Sequence, residues 1–165
     1  MDLIITKEAK ALWGAKEFPC AIGKNGFTHD KREGDQKTPY GRFVFRQVFY
    51  RADRDIIPQL KIPFQAISPQ DGWCDDPEDL LYNQYVSKPY AGRHEDLWRK
   101  DEIYDVIVVL GYNDAPVVPY KGSAIFLHVA RPDFSPTAGC VALQKTDLLQ
   151  VLSESSIDTF IDIKD

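Results

Sequence analysis

No stretch of the 165 residues approaches the roughly 20 consecutive apolar side chains that a membrane-spanning helix needs. A basic surplus is also lacking. Lys and Arg number 20 against 25 Asp and Glu, for a net charge of −5, and the basic residues are scattered among acids. Nucleic acid and anionic membrane surfaces both call for a basic face, so neither is expected as a partner. Cysteine is scarce and odd in number: Cys20, Cys74 and Cys140 cannot all pair within one chain, which points to a reducing compartment. The opening segment MDLIITKEAKALWGAKEF has aspartate second and lacks the roughly 7–15-residue apolar core of a secretory signal. A cytoplasmic location is the expectation. His29, His94 and His128 lie far apart without metal-ligand spacing, so no metal and no cofactor is expected. The Gly23–Gly26 turn lacks the G-K-[ST] of a phosphate loop. Internal repeats and low-complexity tracts are absent too.

What remains is a chain with 44% hydrophobic residues, enough to bury a sizeable core in one domain spanning residues 1–165. DLIIT and AKALW read as an opening hairpin, and FPCAIGKNG as a strand ending in a Gly-rich turn. HDKREGDQKTPYG has no apolar period and reads as a long, mobile loop. RFVFRQVFYR alternates at the strand period, and LKIPFQAIS is strand-like but broken by Pro63, which suits an edge. DVIVVLGY and SAIFLHV are continuous apolar runs expected as buried central strands, and DTFIDIK closes the chain as a strand. DDPEDLLYNQY begins with Asp76 and Pro77 and predicts a helix, RHEDLWRKD a second, and KTDLLQVL a third capped by Thr146. The expected fold is mainly β, a β-sandwich-like or curled sheet with two or three short helices.

The chemistry sits in SAIFLHVARPDFSPTAGCVAL, where His128 and Cys140 are twelve positions apart. A cysteine nucleophile acts as thiolate, and its ordinary pKa of about 8.5 leaves only a few per cent ionised at neutral pH. A histidine within hydrogen-bond reach takes the proton and is expected to draw that pKa down. Gly139 permits a tight turn, and the amides of Gly139 and Cys140 are natural oxyanion donors. Taken alone, the pair reads first as core filler, since a histidine in an apolar run is more often a satisfied core residue and a cysteine beside Val-Ala-Leu is most often buried filler. The DGWCDDPEDLLYNQY segment either lines a peptide cleft through Trp73 or is a capped helix packing Trp73 and Tyr82.

Two blocks overturn that reading. Thr38, Pro39, Gly41 and Phe43, followed much later by His128, Thr137, Gly139 and Cys140, resemble the paired signature of the YkuD-type L,D-transpeptidase family. That resemblance implies a thiol acyltransferase with Cys140 as nucleophile and His128 as base, the imidazole oriented by the Val129 carbonyl. It implies peptidoglycan stem peptides as substrates, cut after the L-centre of a diamino acid and before D-Ala. Ala138 stands where the family commonly has His, and Ala142 where it commonly has Arg or Asn. The task of holding the turn or meeting a substrate carboxylate is then absent or done elsewhere; Arg131 and Arg99 are candidates that read at least as well as solvated surface charges, with Thr137 and Trp73 as further substrate-binding candidates. Combined with a cytoplasmic location, this favours an L,D-carboxypeptidase that trims D-Ala from murein tetrapeptide during recycling. An exported cross-linking or D-amino-acid-exchanging enzyme and a catalytically silent peptide-binding module are the alternatives.

Overall fold

The computed structural model describes residues 1–165. In chain order the elements are β1 (Leu3–Ile5), β2 (Lys10–Trp13), β3 (Lys16–Ala21), β4 (Phe27–Thr28), β5 (Thr38–Pro39), β6 (Gly41–Tyr50) and β7 (Phe64–Ala66). There follow β8 (Asp71–Cys74), β9 (Tyr85–Ser87), β10 (His94–Asp96), β11 (Val106–Leu110), β12 (Phe126–Val129), β13 (Val141–Leu143), α1 (Lys145–Glu154) and β14 (Phe160–Ile163). The largest sheet runs β11-β12-β13-β3-β2-β1-β14-β6-β7, and it curls shut because β6 also pairs with β11. The long β6 does this with its two halves. Gly41–Val44 pair with β14, and Phe45–Tyr50 pair with β11. Beside it stand a three-stranded sheet, β10-β8-β9, and the short β4–β5 pair.

The continuous apolar runs are buried on both faces, as their composition requires. Every residue of β11 and β12 is buried, and alternate side chains enter two different cores. Val106, Val108, Leu127 and Val129 join the core inside the curled sheet, together with Leu148, Val151 and Leu152 of α1. Ile107, Val109 and Phe126 face outward into a second cluster with Phe49, Trp73, Tyr104 and Cys140. Each such fully buried aliphatic side chain contributes about 1.5–3 kcal/mol. His128 shares the face of Phe126, so strand parity alone turns it away from the main core.

The fold is mainly β with one helix. The DDPEDLLYNQY segment is not helical: the Asp76 and Asp79 carboxylates accept from the amides of Glu78 and Leu81, at 3.0 and 2.8 Å. These two-residue turns replace helical bonding, and Leu80, 97% exposed, offers no apolar face to bury. RHEDLWRKD instead contributes β10, whose Glu95 lies opposite Trp73 of β8. The third expected helix forms as α1, but its N-cap is Gln144, Thr146 lies inside the first turn, and no side chain caps it. Pro63 immediately precedes β7, which adds to β6 as an exposed edge.

Candidate active site

His128 lies in β12, and Cys140 immediately precedes the adjacent parallel strand β13. In the β12–β13 register His128 lies opposite Ala142, and Cys140 precedes Ala142 by two residues, so the two share a face. Strand spacing and rise put their Cα atoms on a diagonal of about 8 Å. Both are buried, at 5% and 7% exposure, and both line a cavity of about 410 Å³.

The imidazole is fixed by its own strand. His128 Nδ1 lies 2.9 Å from the Val129 carbonyl oxygen. A carbonyl only accepts, so Nδ1 carries the proton and Nε2 is left as the acceptor. The Tyr104 ring packs edge-on against the imidazole with centroids 5.4 Å apart, and the Tyr104 hydroxyl donates to Glu95 Oε1 at 2.8 Å.

Burial lowers the His128 pKa to about 4, against the opposing pull of the Val129 hydrogen bond. Burial likewise pushes the Cys140 thiol up to about 12, although the Phe126 amide donates to its sulfur at 3.3 Å. The thiol donates in turn to the Ala124 carbonyl at 3.1 Å. The expectation of a thiol drawn below its ordinary value is therefore revised. Desolvation disfavours both the thiolate and the imidazolium, and so favours the neutral pair.

The nucleophile turn is braced from inside. Gly139 has φ +141°, and a Cβ there would meet the Lys37 carbonyl oxygen at 2.9 Å, so only glycine fits without strain. Its amide donates to Thr137 Oγ1 at 3.1 Å, and the Thr137 hydroxyl donates to the Cys140 carbonyl at 2.7 Å. The Gly139 amide is thus already engaged, which removes it as an oxyanion donor in this state. The Cys140 amide makes no hydrogen bond within the protein. Thr137 lines the cavity, but its polar atoms hold the turn.

The two signature blocks meet here. Thr38 is fully buried, and its Oγ1 accepts from the Gly23 amide at 2.8 Å. Gly23 in turn bridges to Thr137. The first block therefore acts through the backbone that carries Cys140. The loop before it is pinned rather than loose: Asp35 accepts from the amides of Arg32 and Lys37, both at 2.9 Å, and from Lys31 Nζ.

Arg99 and Arg131 both line the cavity and share one carboxylate. Arg99 holds Asp101 through two bonds of 2.8 and 2.7 Å, and Arg131 approaches the same group at 3.5 Å. Asp101 thus engages both guanidinium groups, and the Glu95 carboxylate lines the same cavity. Trp73 does not line this cavity. It packs against Phe126 at 5.2 Å, donates to Asn83 Oδ1 at 3.0 Å, and borders a neighbouring cavity.

Four contributors had no sequence signal. Lys31, Glu95 and Tyr104 line the cavity. Asn83 orders the wall behind the nucleophile by donating to two carbonyls and accepting from the Ala124 amide at 2.9 Å. Glu95 and Asn83 fell in segments expected as helix, where their strand and turn positions were invisible. No group of three metal-ligating side chains comes together, and no helix is long and apolar enough to cross a membrane.

A buried thiol at the entry to one strand and an oriented imidazole on the strand beside it define a cysteine-nucleophile site in a closed β sheet. The chain belongs to the YkuD family: the family model, described as the L,D-transpeptidase catalytic domain, matches residues 6–163. Its chemistry is of the L,D-transpeptidase type, with a cysteine nucleophile and peptidoglycan peptides as substrates. No curated protein matches the chain.

Proposed function

We propose that the chain works as a single catalytic domain, an L,D-carboxypeptidase that removes the terminal D-Ala from murein tetrapeptide in the cytoplasm. The observation that carries the Cys–His chemistry is the tie from His128 Nδ1 to Val129, which leaves Nε2 as a base in the wall of the cavity shared with Cys140. The Cys140 sulfur attacks the carbonyl carbon at the L-centre of the diamino acid as the thiol proton passes to Nε2. The free Cys140 amide is the oxyanion donor. Collapse breaks the C–N bond, and the D-Ala amine leaves with the proton from Nε2. Water, deprotonated by the same nitrogen, then cleaves the thioester to give tripeptide carboxylate and restores the thiol.

Two features support hydrolysis over cross-linking. Ala138 and Ala142 both line the cavity, so neither carries the polar side chain that relatives commonly place there to hold a partner. Ala142 is 1% exposed and directly opposite His128, which keeps the space beside the base small and apolar. The cytoplasmic setting is supported by three cysteines that are all buried and unpaired. Incubating the protein with tetrapeptide and weighing the products tests the reading. Tripeptide plus free D-Ala is expected; a dominant cross-linked dimer overturns the carboxypeptidase assignment, and no turnover at all overturns the enzyme.

A further inference from the structure

A second cavity of about 550 Å³ adjoins the catalytic one, and Ile125 lines both. It is chemically unlike its neighbour. The catalytic cavity is lined by Lys31, Arg99 and Arg131 together with Glu33, Asp75 and Glu95. The charges of the second are limited to Arg46 and Asp114, and these neutralise each other at 2.8 Å. What is left to meet a ligand is aromatic and amide.

The aromatic part is a prepared platform. Tyr85 is 41% exposed, yet it is held rigidly: its ring stacks on Phe49 with centroids 6.2 Å apart and 11° between planes. Its hydroxyl donates to Asp71 Oδ1 at 2.6 Å. An exposed ring fixed at its tip and backed on one side loses little freedom when a ligand stacks on it. The amide part is unspent. The side-chain amides of Gln47, Gln65 and Gln84 border the same cavity without hydrogen bonds to the protein, whereas that of Asn83 between them is fully occupied with structure.

An exposed flat ring beside several free amides in a neutral cavity matches a ligand with one apolar face and a rim of hydroxyl and acetamido groups. We infer that this second cavity is a saccharide subsite that holds an N-acetylated pyranose, the sugar end of a glycan-bearing stem peptide. The inference rests on the stem-peptide reading only for the link between the two cavities. Ile125 lines both cavities, and the first three residues of a stem peptide, about 10 Å when extended, would be the tether between a sugar in one and a scissile bond in the other. The volume lies in the range of sites that enclose small ligands.

The test begins with catalysis removed. Isothermal titration of the Cys140→Ala protein with N,N′-diacetylchitobiose, a neutral peptide-free probe, should show saturable binding, with cellobiose binding more weakly for want of acetamido groups. Tyr85→Ala and, separately, Gln65→Ala should each weaken chitobiose binding about tenfold. Absence of binding at about 10 mM, indifference to both substitutions, or competition by free tetrapeptide would each overturn the subsite. The second arm uses the active protein. KM for the disaccharide-bearing tetrapeptide should be about tenfold below that for free tetrapeptide, and Tyr85→Ala should close the gap. Equal KM values in the wild type overturn the link between the cavities. Because the first arm needs no turnover, failure of the sugar site and failure of the carboxypeptidase reading give different results.

Discussion

The thiol of Cys140 donates to the Ala124 carbonyl at 3.1 Å, and no hydrogen bond joins it to His128. Ala124 sits at φ +52°, an uncommon conformation for a residue with a Cβ, and Asn83 holds it there through its amide. The resting nucleophile is thus stored protonated. Under the proposed mechanism, proton transfer to His128 requires the thiol to rotate away from the Ala124 carbonyl once substrate is bound. Iodoacetamide should therefore alkylate Cys140 of the free protein more slowly at pH 7 than it alkylates an exposed thiol, with a rate still rising above pH 9. His128→Ala should leave that profile nearly unchanged while abolishing tetrapeptide turnover. Fast alkylation at neutral pH that His128→Ala slows would show a pre-formed ion pair instead.

Cys140→Ala should eliminate turnover and keep the fold. It removes one sulfur from a turn whose other bonds, Gly139 to Thr137 and Thr137 to the Cys140 carbonyl, are backbone or threonine bonds. Cys20→Ala and Cys74→Ala should retain most activity, since neither lines the catalytic cavity. Product analysis with circular dichroism separates lost chemistry from lost structure. Residual turnover by the Cys140→Ala protein would sink the proposed nucleophile.

Gly139→Ala tests the turn. The added Cβ would press on a backbone oxygen at 2.9 Å while the residue is held at φ +141°, so neither the neighbour nor the dihedral yields cheaply. A cost of about 1–3 kcal/mol in stability is expected, with activity falling about 100-fold as the nucleophile shifts. Thr137→Val keeps the volume but removes both turn-closing bonds, and should lower kcat with a smaller loss of stability. Urea melts and kinetics of the two variants check this. Wild-type kcat in Thr137→Val would show that the hydroxyl does not position the nucleophile.

Strand runs could be read from residue pattern, because period is a local property, whereas the pair His128 and Cys140 stood out only through the resemblance of the two motif blocks to a family signature. The segments that resisted were those where composition and context disagreed. Asp76-Pro77 is a sound helix start, but a helix also needs an apolar stripe, and Leu80 and Leu81 lie exposed. Gly139 looked like an oxyanion donor until Thr137, two residues earlier, was seen to occupy its amide. Tyr104 reaches the imidazole, and Glu95 reaches Tyr104, only through the pairing of β10 with β8 and the loop before β11, a long-range arrangement no window of sequence contains. The pKa direction at Cys140 was also beyond reach, since it depends on burial rather than on the identity of its partner.

The buried imidazole should make stability acid-sensitive in a defined window. Its folded pKa of about 4 lies below the ordinary 6.5. The unfolded chain therefore takes up a proton near pH 6.5 that the native state refuses until about pH 4. The contribution is intact above pH 6.5, falls as pH drops from there, and is gone below pH 4, for a total of at most about 3 kcal/mol. Urea midpoints of wild type and His128→Gln, compared across this range, cancel the carboxylates common to both. The wild-type curve should fall more steeply, and parallel curves would deny the imidazole its buried neutral state.

The final expectation concerns which acceptor resolves the thioester. Water and amines compete for it, and the outcome follows whichever the site positions rather than whichever is the stronger nucleophile. At positions 138 and 142 the cavity presents methyl groups, so an incoming amine finds no polar side chain there, while water needs none of comparable reach. Arg99 and Arg131 supply cationic charge, but Asp101 already engages both, and a free D-amino acid would have to compete for them. Added D-amino acids should therefore give exchange products only at concentrations far above that of the tetrapeptide. Dimers should remain minor even with acceptor peptide in excess. Mass spectrometry of reactions titrated with D-Met or D-Ala measures the partition directly. Exchange that saturates at low D-amino-acid concentration would reveal a built acceptor site and reverse the order of the two activities, with the Cys140–His128 chemistry left intact.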